Sequence, residues 1–362
     1  MPFHPTETPP SPFHPGERDM QARAGVRERM DQRAARAIRD AMPEQHRAFF
    51  AGLALLPLAV NDRRGWPAAT LLTGAPGFVA SPDPRRLRIA LPAERAAPPD
   101  STLVPGTPVG LLGITFATRR RNRLNGLVAR IDAGGFDVAV VQSFGNCAQY
   151  IQARDIQAPG IPAHDSGAGD SGAGDIRAGD AGAGAAGTAD GGAAWLPALD
   201  VPARRLIAGA DTMFVASAEQ ADAAGAVDVS HRGGRPGFLR LDGDVLTVPD
   251  FAGNRYFNTL GNFRLNPRAA LLLPDFASGA LLHLSGAVEL VEQGAEIAAF
   301  RGAERLWRVH IAAAWRRTDV LPRGWSPPEP APTTLATGSW AGVSGPPSAP
   351  PPPGPPPVPS PY

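Results

Sequence analysis

Residues 230–276 read SHRGGRPGFLRLDGDVLTVPDFAGNRYFNTLGNFRLNPRAALLLPDF. Short apolar runs, FLRL, VLTV and AALLL, are punctuated here by Gly, Asp and Pro, the pattern of brief strands joined by tight turns. Glycine-rich turns let backbone amides approach an anion. Arg232, Arg235 and Arg255 add fixed positive charge beside them.

The same pattern occurs earlier in the chain. Pro76-Gly77-Phe78 precedes Pro236-Gly237-Phe238 by 160 positions, and the same spacing relates Leu111-Leu112 to Leu271-Leu272. It also relates Phe116 to Phe276, Leu124 to Leu284 and Gly126 to Gly286. One ungapped register over these matches predicts two copies of one domain. VGLLGI, NGLVARI and FDVAVV in the first copy, and FLRL, VLTV, AALLL and LLHLSGAVELV in the second, are short apolar runs. Short strands at this spacing predict a mainly β protein of barrel or sandwich type with peripheral helices. Helices are expected at 17–42, 45–56, 145–153, 254–262 and 294–307.

The 362 residues accommodate two domains, and the net charge of +1 gives no electrostatic case for nucleic acid or an anionic membrane. All 35 basic residues are arginine, which removes Schiff-base and P-loop lysine chemistry. The single cysteine, Cys147, rules out an intrachain disulfide and a thiolate cluster. No apolar run approaches the ~20 residues of a membrane span. The first twenty residues lack an apolar signal core, so a cytoplasmic protein is expected.

The organisation expected is residues 1–15 disordered, an N-terminal helix at 16–43 and a first barrel at 44–155. A Gly/Ala/Asp-rich linker at 156–200 follows, then a second barrel at 201–325 and a Pro-rich disordered tail at 326–362. Two GxGxxG matches, at 167–172 and 182–187, follow no apolar strand and open no apolar helix, so they read as linker. No HExxH or other metal-ligand spacing is present, so no metal is expected, and the absence of GxSxG removes the best signal for a hydrolase.

The motifs Ser230–Phe238, Pro249–Arg255, Asn258–Asn262 and Asn266-Pro-Arg268 resemble the pyridoxamine 5′-phosphate oxidase-like superfamily of FMN-binding split barrels. The branch of predicted flavin-nucleotide-binding proteins is the nearer likeness. Arg120–Gly126 and Asn146–Ile151 carry a weaker version in the first copy. The resemblance covers residues 45–325 apart from the linker. It implies two tandem split β-barrels forming a pseudo-dimer within one chain, with FMN in the cleft between them. It further implies that Arg232 contacts the phosphate, with Asn254 and Arg255 as a second anchor. Gly234, Arg235, Pro249 and Asp250 belong to the same cradle. A helix opening at 254 would offer free amides to the phosphate, with Asn258 and Thr259 adding hydrogen bonds.

At the common spacing the first copy lacks this cradle: Leu72 stands where Arg232 does, and residues 89–102 lack the second copy's motif. It keeps instead the run Arg119–Arg123 with Asn125, whose counterpart, Gly279–His283, is neutral apart from the histidine. One composite site per chain is therefore expected, with Arg121, Arg123 and Asn125 from the first barrel. Gln142 and Ser143 either edge the flavin ring or cap a helix. His231 is the best acid–base candidate, but a site-lining histidine is the favoured reading of it. Cys147 reads as a small packed residue.

Three functions follow from these readings. The first is an FMN-dependent oxidoreductase acting on a small molecule or electron donor. The second is a non-catalytic flavin carrier or sensor, in which the Pro-rich tail is an adaptor ligand. The third is a barrel binding haem or a deazaflavin, with His231 or His283 as the axial donor. True pyridoxamine 5′-phosphate oxidase activity is not expected, because that enzyme's C-terminal arginine motif is missing. The pseudo-dimer implies a monomer, or a homodimer of such chains.

Overall fold

The computed structural model describes residues 11–156, 193–222 and 225–342. Both GxGxxG matches, most of the linker and the polyproline end lie outside these residues.

The strands of the first half are β1 (Leu55–Asn61), β2 (Pro67–Thr73), β3 (Val79–Asp83), β4 (Arg86–Ile89), β5 (Pro108–Thr115), β6 (Arg120–Asp132) and β7 (Gly135–Asn146). After a two-residue β8 (Ala194–Trp195), the second half has β9 (Thr212–Ala218), β10 (Val227–Gly233), β11 (Arg240–Asp242), β12 (Val245–Phe251), β13 (Arg268–Pro274), β14 (Leu281–Val291) and β15 (Ala303–Arg317). The first sheet runs β2-β1-β5-β6-β7-β4-β3 and the second β10-β9-β13-β14-β15-β12-β11. These are one strand order used twice, and every pairing is antiparallel. The fold is mainly β, two split barrels in tandem, as expected.

The common register is visible in the ladders. Leu111 lies opposite Leu124 in one half and Leu271 opposite Leu284 in the other. Both halves bulge at the same place, between Asn125 and Gly126 and between Ser285 and Gly286. The glycine is needed at each bulge: a Cβ on Gly126 would lie 2.2 Å from the Ala139 carbonyl oxygen, and one on Gly286 2.2 Å from that of His310. The repeat drifts in the last long strand, where Leu124 faces Ser143 but Leu284 faces Ala314.

Alternation along the strands separates three cores. In β1, Leu56, Leu58 and Val60 enter the first barrel. In β9, Met213 and Val215 enter the second, around Trp307 and Phe263. The intervening residues, Leu55 and Ala59 in β1 and Phe214, Ala216 and Ala218 in β9, meet between the barrels with Leu112, Val229 and Leu272. Because both faces are covered, β1 and β9 are buried at every position, which explains their near-continuous apolar sequences. The two barrels thus pack as a pseudo-dimer within one chain.

Helices lie at the periphery: α1 (Pro15–Arg23), α2 (Arg27–Ala37), α3 (Glu44–Ala51), α4 (Ala93–Ala96), α5 (Val201–Gly209), α6 (Asn258–Leu265), α7 (Ala295–Ala299) and α8 (Pro332–Leu335). Several sequence expectations change here. The stretch 17–42 is two helices, because Gly25 turns the chain with a φ of 65°. Residues 145–153 form no helix, since β7 continues to Asn146. The helix expected at 294–307 is only α7, and from Ala303 the chain is strand β15. Residues 11–15 and 326–342 belong to the packed fold. Phe13 is buried, and the buried Trp340 donates its indole N–H to the Phe238 carbonyl at 2.9 Å. No helix among the described residues is long and apolar enough to cross a membrane.

Candidate functional site

At the seam between the barrels a cleft of about 130 Å³ is lined from both halves. From the first come Arg121 and Arg123, two apart on β6 and so on one face, with Asn146 at the end of β7 and Cys147, Gln149 and Tyr150 beyond it. The second gives Ser230, His231 and Arg232 on β10 and Pro249, Asp250 and Phe251 at the end of β12. It also gives Asn254, Arg255 and Phe257, the first turn of α6 with Asn258 and Thr259, and Glu304 on β15.

Ten of the expected residues therefore meet: His231, Arg232, Pro249, Asp250, Asn254, Arg255, Asn258, Thr259, Arg121 and Arg123. Five do not line the cleft. Gly234 is small because a Cβ there would fall 2.4 Å from the Phe238 ring, so it serves packing. Arg235 is exposed in the turn. Asn125 donates to Asp228 at 2.7 Å. Gln142 donates to the Pro12 carbonyl at 3.3 Å. Ser143 is fully buried in β7, with its hydroxyl 3.0 Å from His46 Nδ1. Because the segment is strand, Gln142 and Ser143 cap no helix, and neither lines the cleft.

The arginines are not equivalent. Arg123 is buried in an ion pair with Asp228 at 2.6 Å and also donates to Ser230. Burial pushes the Asp228 carboxyl up, but Arg123, Asn125 and Asn262 outweigh it and hold it below its usual value. Arg232 pairs with Asp250 at 2.6 Å, and Arg255 forms a two-pronged pair with Glu304. Arg305 ties the two acids together, reaching Asp250 at 3.2 Å and Glu304 at 3.3 Å. Arg121 differs. It donates to the carbonyls of Cys147 at 3.0 Å and Gln149 at 3.2 Å, and to His231 Nδ1 at 3.2 Å. Among the described residues no carboxylate pairs with it. Burial, with Arg232 and Arg123 nearby, lowers it to about 10. It still carries its charge at neutral pH.

His231 lies under the Arg121 guanidinium, with the rings of Phe116 and Phe214 beside it. Burial, then Arg121, Arg232 and Arg154, push its pKa well below the ordinary value, so it is neutral at pH 7. With Nδ1 receiving from Arg121, the ring proton sits on Nε2, which is buried without a partner. His231 is therefore a weak base, which argues against the acid–base role its sequence position suggested.

Helix α6 begins at Asn258 rather than 254. Residues 252–257 form a loop in which Arg255 and Phe257 take left-handed backbone, with φ of 66° and 62°. Tyr150, on the opposite wall, has a φ of 62°. Such backbone in non-glycine residues costs of order 1–3 kcal/mol each and persists where the surroundings impose it. Phe257 provides no side-chain cap for α6, so the free amides of its first turn open beside the arginines. Sequence reasoning missed Glu304, which fell within a stretch read as helix.

A twin cleft of about 410 Å³ lies at the position the repeat predicts. Leu72 lines it where Arg232 lines the first, and Pro98 and Pro99 stand for Asn258 and Thr259. Arg95, 160 positions before Arg255, is exposed there. His283, the counterpart of Arg123, is buried in a stack with Trp315 and lowered to about 3 by burial, with Arg317 adding to the shift. The cradle exists on one side only. Among the described residues no group of three or more His, Cys, Asp or Glu side chains is placed to hold a metal ion.

No protein-family model matches the sequence, and no curated protein matches it. Solved structures do. A putative pyridoxamine 5′-phosphate oxidase from Lactobacillus delbrueckii is 16% identical, with a TM-score of 0.27 over 33% of this chain and 98% of that one. An FAD-binding protein from Mesorhizobium loti is 15% identical, with a TM-score of 0.25 over 34% of this chain and 96% of its own. HutZ of Vibrio cholerae, described as a heme storage protein, is 14% identical, with a TM-score of 0.22 over 36% and 95%. Each match spans about a third of the chain, the length of one barrel. These are distant likenesses of fold alone; the split-barrel description of each half rests on the strand order that the two sheets share.

Proposed function

We propose that the chain binds one FMN in the composite cleft and works as an FMN-dependent oxidoreductase on a small-molecule substrate or electron donor. One observation carries this reading. Four arginines from both barrels converge with the open first turn of α6 in this cleft, whereas the twin cleft has two, Arg95 and Arg317, among three acids, and prolines in place of that turn. Four arginines against two carboxylates leave the lining cationic, as a phosphate dianion requires.

The residues fit the phosphate end of such a ligand. Arg121, Arg232, Arg255, Asn258 and Thr259 would hold it, and the buried Arg232 Nε without a partner offers a further donor. About 130 Å³ is less than the ~300 Å³ or more of a drug-sized pocket. Ring binding therefore extends into the mouth, beside Tyr150, Phe251 and Cys147. Bound flavin would supply the redox chemistry, while the protein binds it, orients it and sets the charge around it. The acids Asp250 and Glu304 hold the arginines in place and yield them to the phosphate.

A haem reading would rest on His231 Nε2, unpartnered at the cleft, and would require the ring to give up the proton held there. The absorbance spectrum of the purified protein separates the two. Paired flavin bands support FMN, and a Soret band without them overturns it. Reduction of bound flavin by NADH or NADPH would then separate an enzyme from a carrier.

A further inference from the structure

Three observations outside the cleft converge on residues 11–23. The first is a helix crossing without clearance. A Cβ on Gly16 would lie 2.1 Å from the Gly261 carbonyl oxygen, and one on Gly261 2.6 Å from the Glu17 amide nitrogen. Only a glycine pair lets α1 lie this close to α6.

The second is that this segment reaches both sides of the seam. The Pro12 carbonyl accepts from Gln142 of the first barrel. Gln21 is fully buried and donates to the Tyr256 carbonyl at 3.3 Å. The Phe13 ring packs edge-on against Tyr256 at 5.3 Å, and Phe144 of β7 meets the same ring at 5.6 Å. Tyr256 is the residue between the two left-handed positions, Arg255 and Phe257.

The third is a buried carboxyl. Glu17 accepts from the Asn258 side-chain amide and, at 3.0 Å, from the His14 backbone N–H. Burial and then Asp228 raise it to about 8, while His14, Asn258 and Arg123 partly oppose the shift. It is therefore held mostly as the neutral acid at pH 7, at the first turn of the helix that opens on the cleft.

We propose that residues 11–23 are a strap that fixes the 252–257 loop in its left-handed form, and that Glu17 is a positioning residue acting on the cleft through Asn258. Tyr256 is the anchor. Without it, Arg255 and Phe257 relax toward ordinary backbone, and Arg255 leaves the cleft wall. The ligand half of this inference rests on the FMN reading; the strap half does not.

Two readouts on the full chain keep the halves apart. Hydrogen exchange without added ligand is compared for wild type, Gly16→Val, Phe13→Ala, Glu17→Gln and Glu17→Ala, alongside FMN titration. Gly16→Val and Phe13→Ala are expected to speed exchange in 252–262 roughly tenfold, leave 108–132 unchanged and weaken FMN binding roughly tenfold. Glu17→Gln keeps an acceptor for Asn258 and stays near wild type, whereas Glu17→Ala follows the strap variants. If 11–23 exchanges freely while 252–262 keeps its protection, the strap is refuted. If Glu17→Gln and Glu17→Ala behave alike, the positioning role of Glu17 is refuted. Should Gly16→Val fail to fold, Phe13→Ala decides. If wild type binds no FMN, the flavin reading fails and the exchange data still judge the strap.

Discussion

Arg123 of the first barrel and Asp228 of the second form a buried ion pair at 2.6 Å across the seam. Asn125 and Asn262 complete the shell of the carboxylate at 2.7 and 2.8 Å. A charge pair this enclosed fixes how the barrels meet, and with it the distance between the two walls of the cleft. Removing one partner strands the other charge. Asp228→Ala is expected to destabilise the chain by about 3–5 kcal/mol, and the double change Arg123→Leu with Asp228→Leu by less than that. Denaturant unfolding checks the order. A double variant less stable than the single would show that the pair is not what holds the seam.

Arg121 should matter most among the cationic residues of the cleft, because no carboxylate among the described residues competes for it. Arg121→Gln removes a charged hydrogen bond to phosphate, of order 1.5–3 kcal/mol, so FMN binding is expected to weaken roughly 10- to 100-fold. Arg95→Gln in the twin cleft is the control and should leave binding unchanged. Fluorescence titration of both variants tests the pairing.

Glu304 predicts the opposite sign. It occupies both prongs of Arg255, and a phosphate must take its place. Glu304→Gln is expected to tighten FMN binding by a few-fold, in line with the ~1 kcal/mol of a partly exposed pair. Unchanged or weaker binding would show that Arg255 does not reach the ligand.

The repeat and the composite cleft were legible in the sequence, for different reasons. β5, β6, β13 and β14 keep one ungapped spacing because the bulge at Gly126 and Gly286 tolerates no side chain. Arg121 and Arg232 could be placed together because the two copies had lost opposite halves of a site. The strap could not be read. Glu17 and Asn258 are 241 residues apart, and nothing local in PGERDM marks a buried carboxyl. Glu304 was hidden by AEIAA, whose helical preference ends at Gly302, where a φ of 88° turns the chain into strand. Residues 326–342 looked like a tail because they lead into the Pro-rich run 346–362, yet Trp340 finds Phe300 and the Phe238 carbonyl.

Glu17 also gives a pH signature. Its docked value, about 8, lies above the usual carboxyl value near 4.5, so docking of the strap takes up a proton. The stabilisation is fully present below about pH 4.5 and is lost as pH rises through about 8. The groups facing Glu17 are His14 on its own segment, Asp228 on β10, Arg123 on β6 and Asn258 on α6. Burial lowers His14 below its usual 6.5, so His14 opposes the effect below about pH 6.5, and Asp228 stays ionised there. Protection of 252–262 should therefore fall between about pH 6.5 and pH 8 in wild type, and Glu17→Gln should flatten that slope. An equal slope in the variant would assign the proton elsewhere.

The most direct measurement is the amount of flavin bound per chain, read from absorbance after equilibration with FMN and removal of the excess. One FMN per chain in wild type, with none retained when Arg121 and Arg232 are both changed to Gln, is the predicted result. Two FMN per chain, or none, would contradict a single composite site between the barrels.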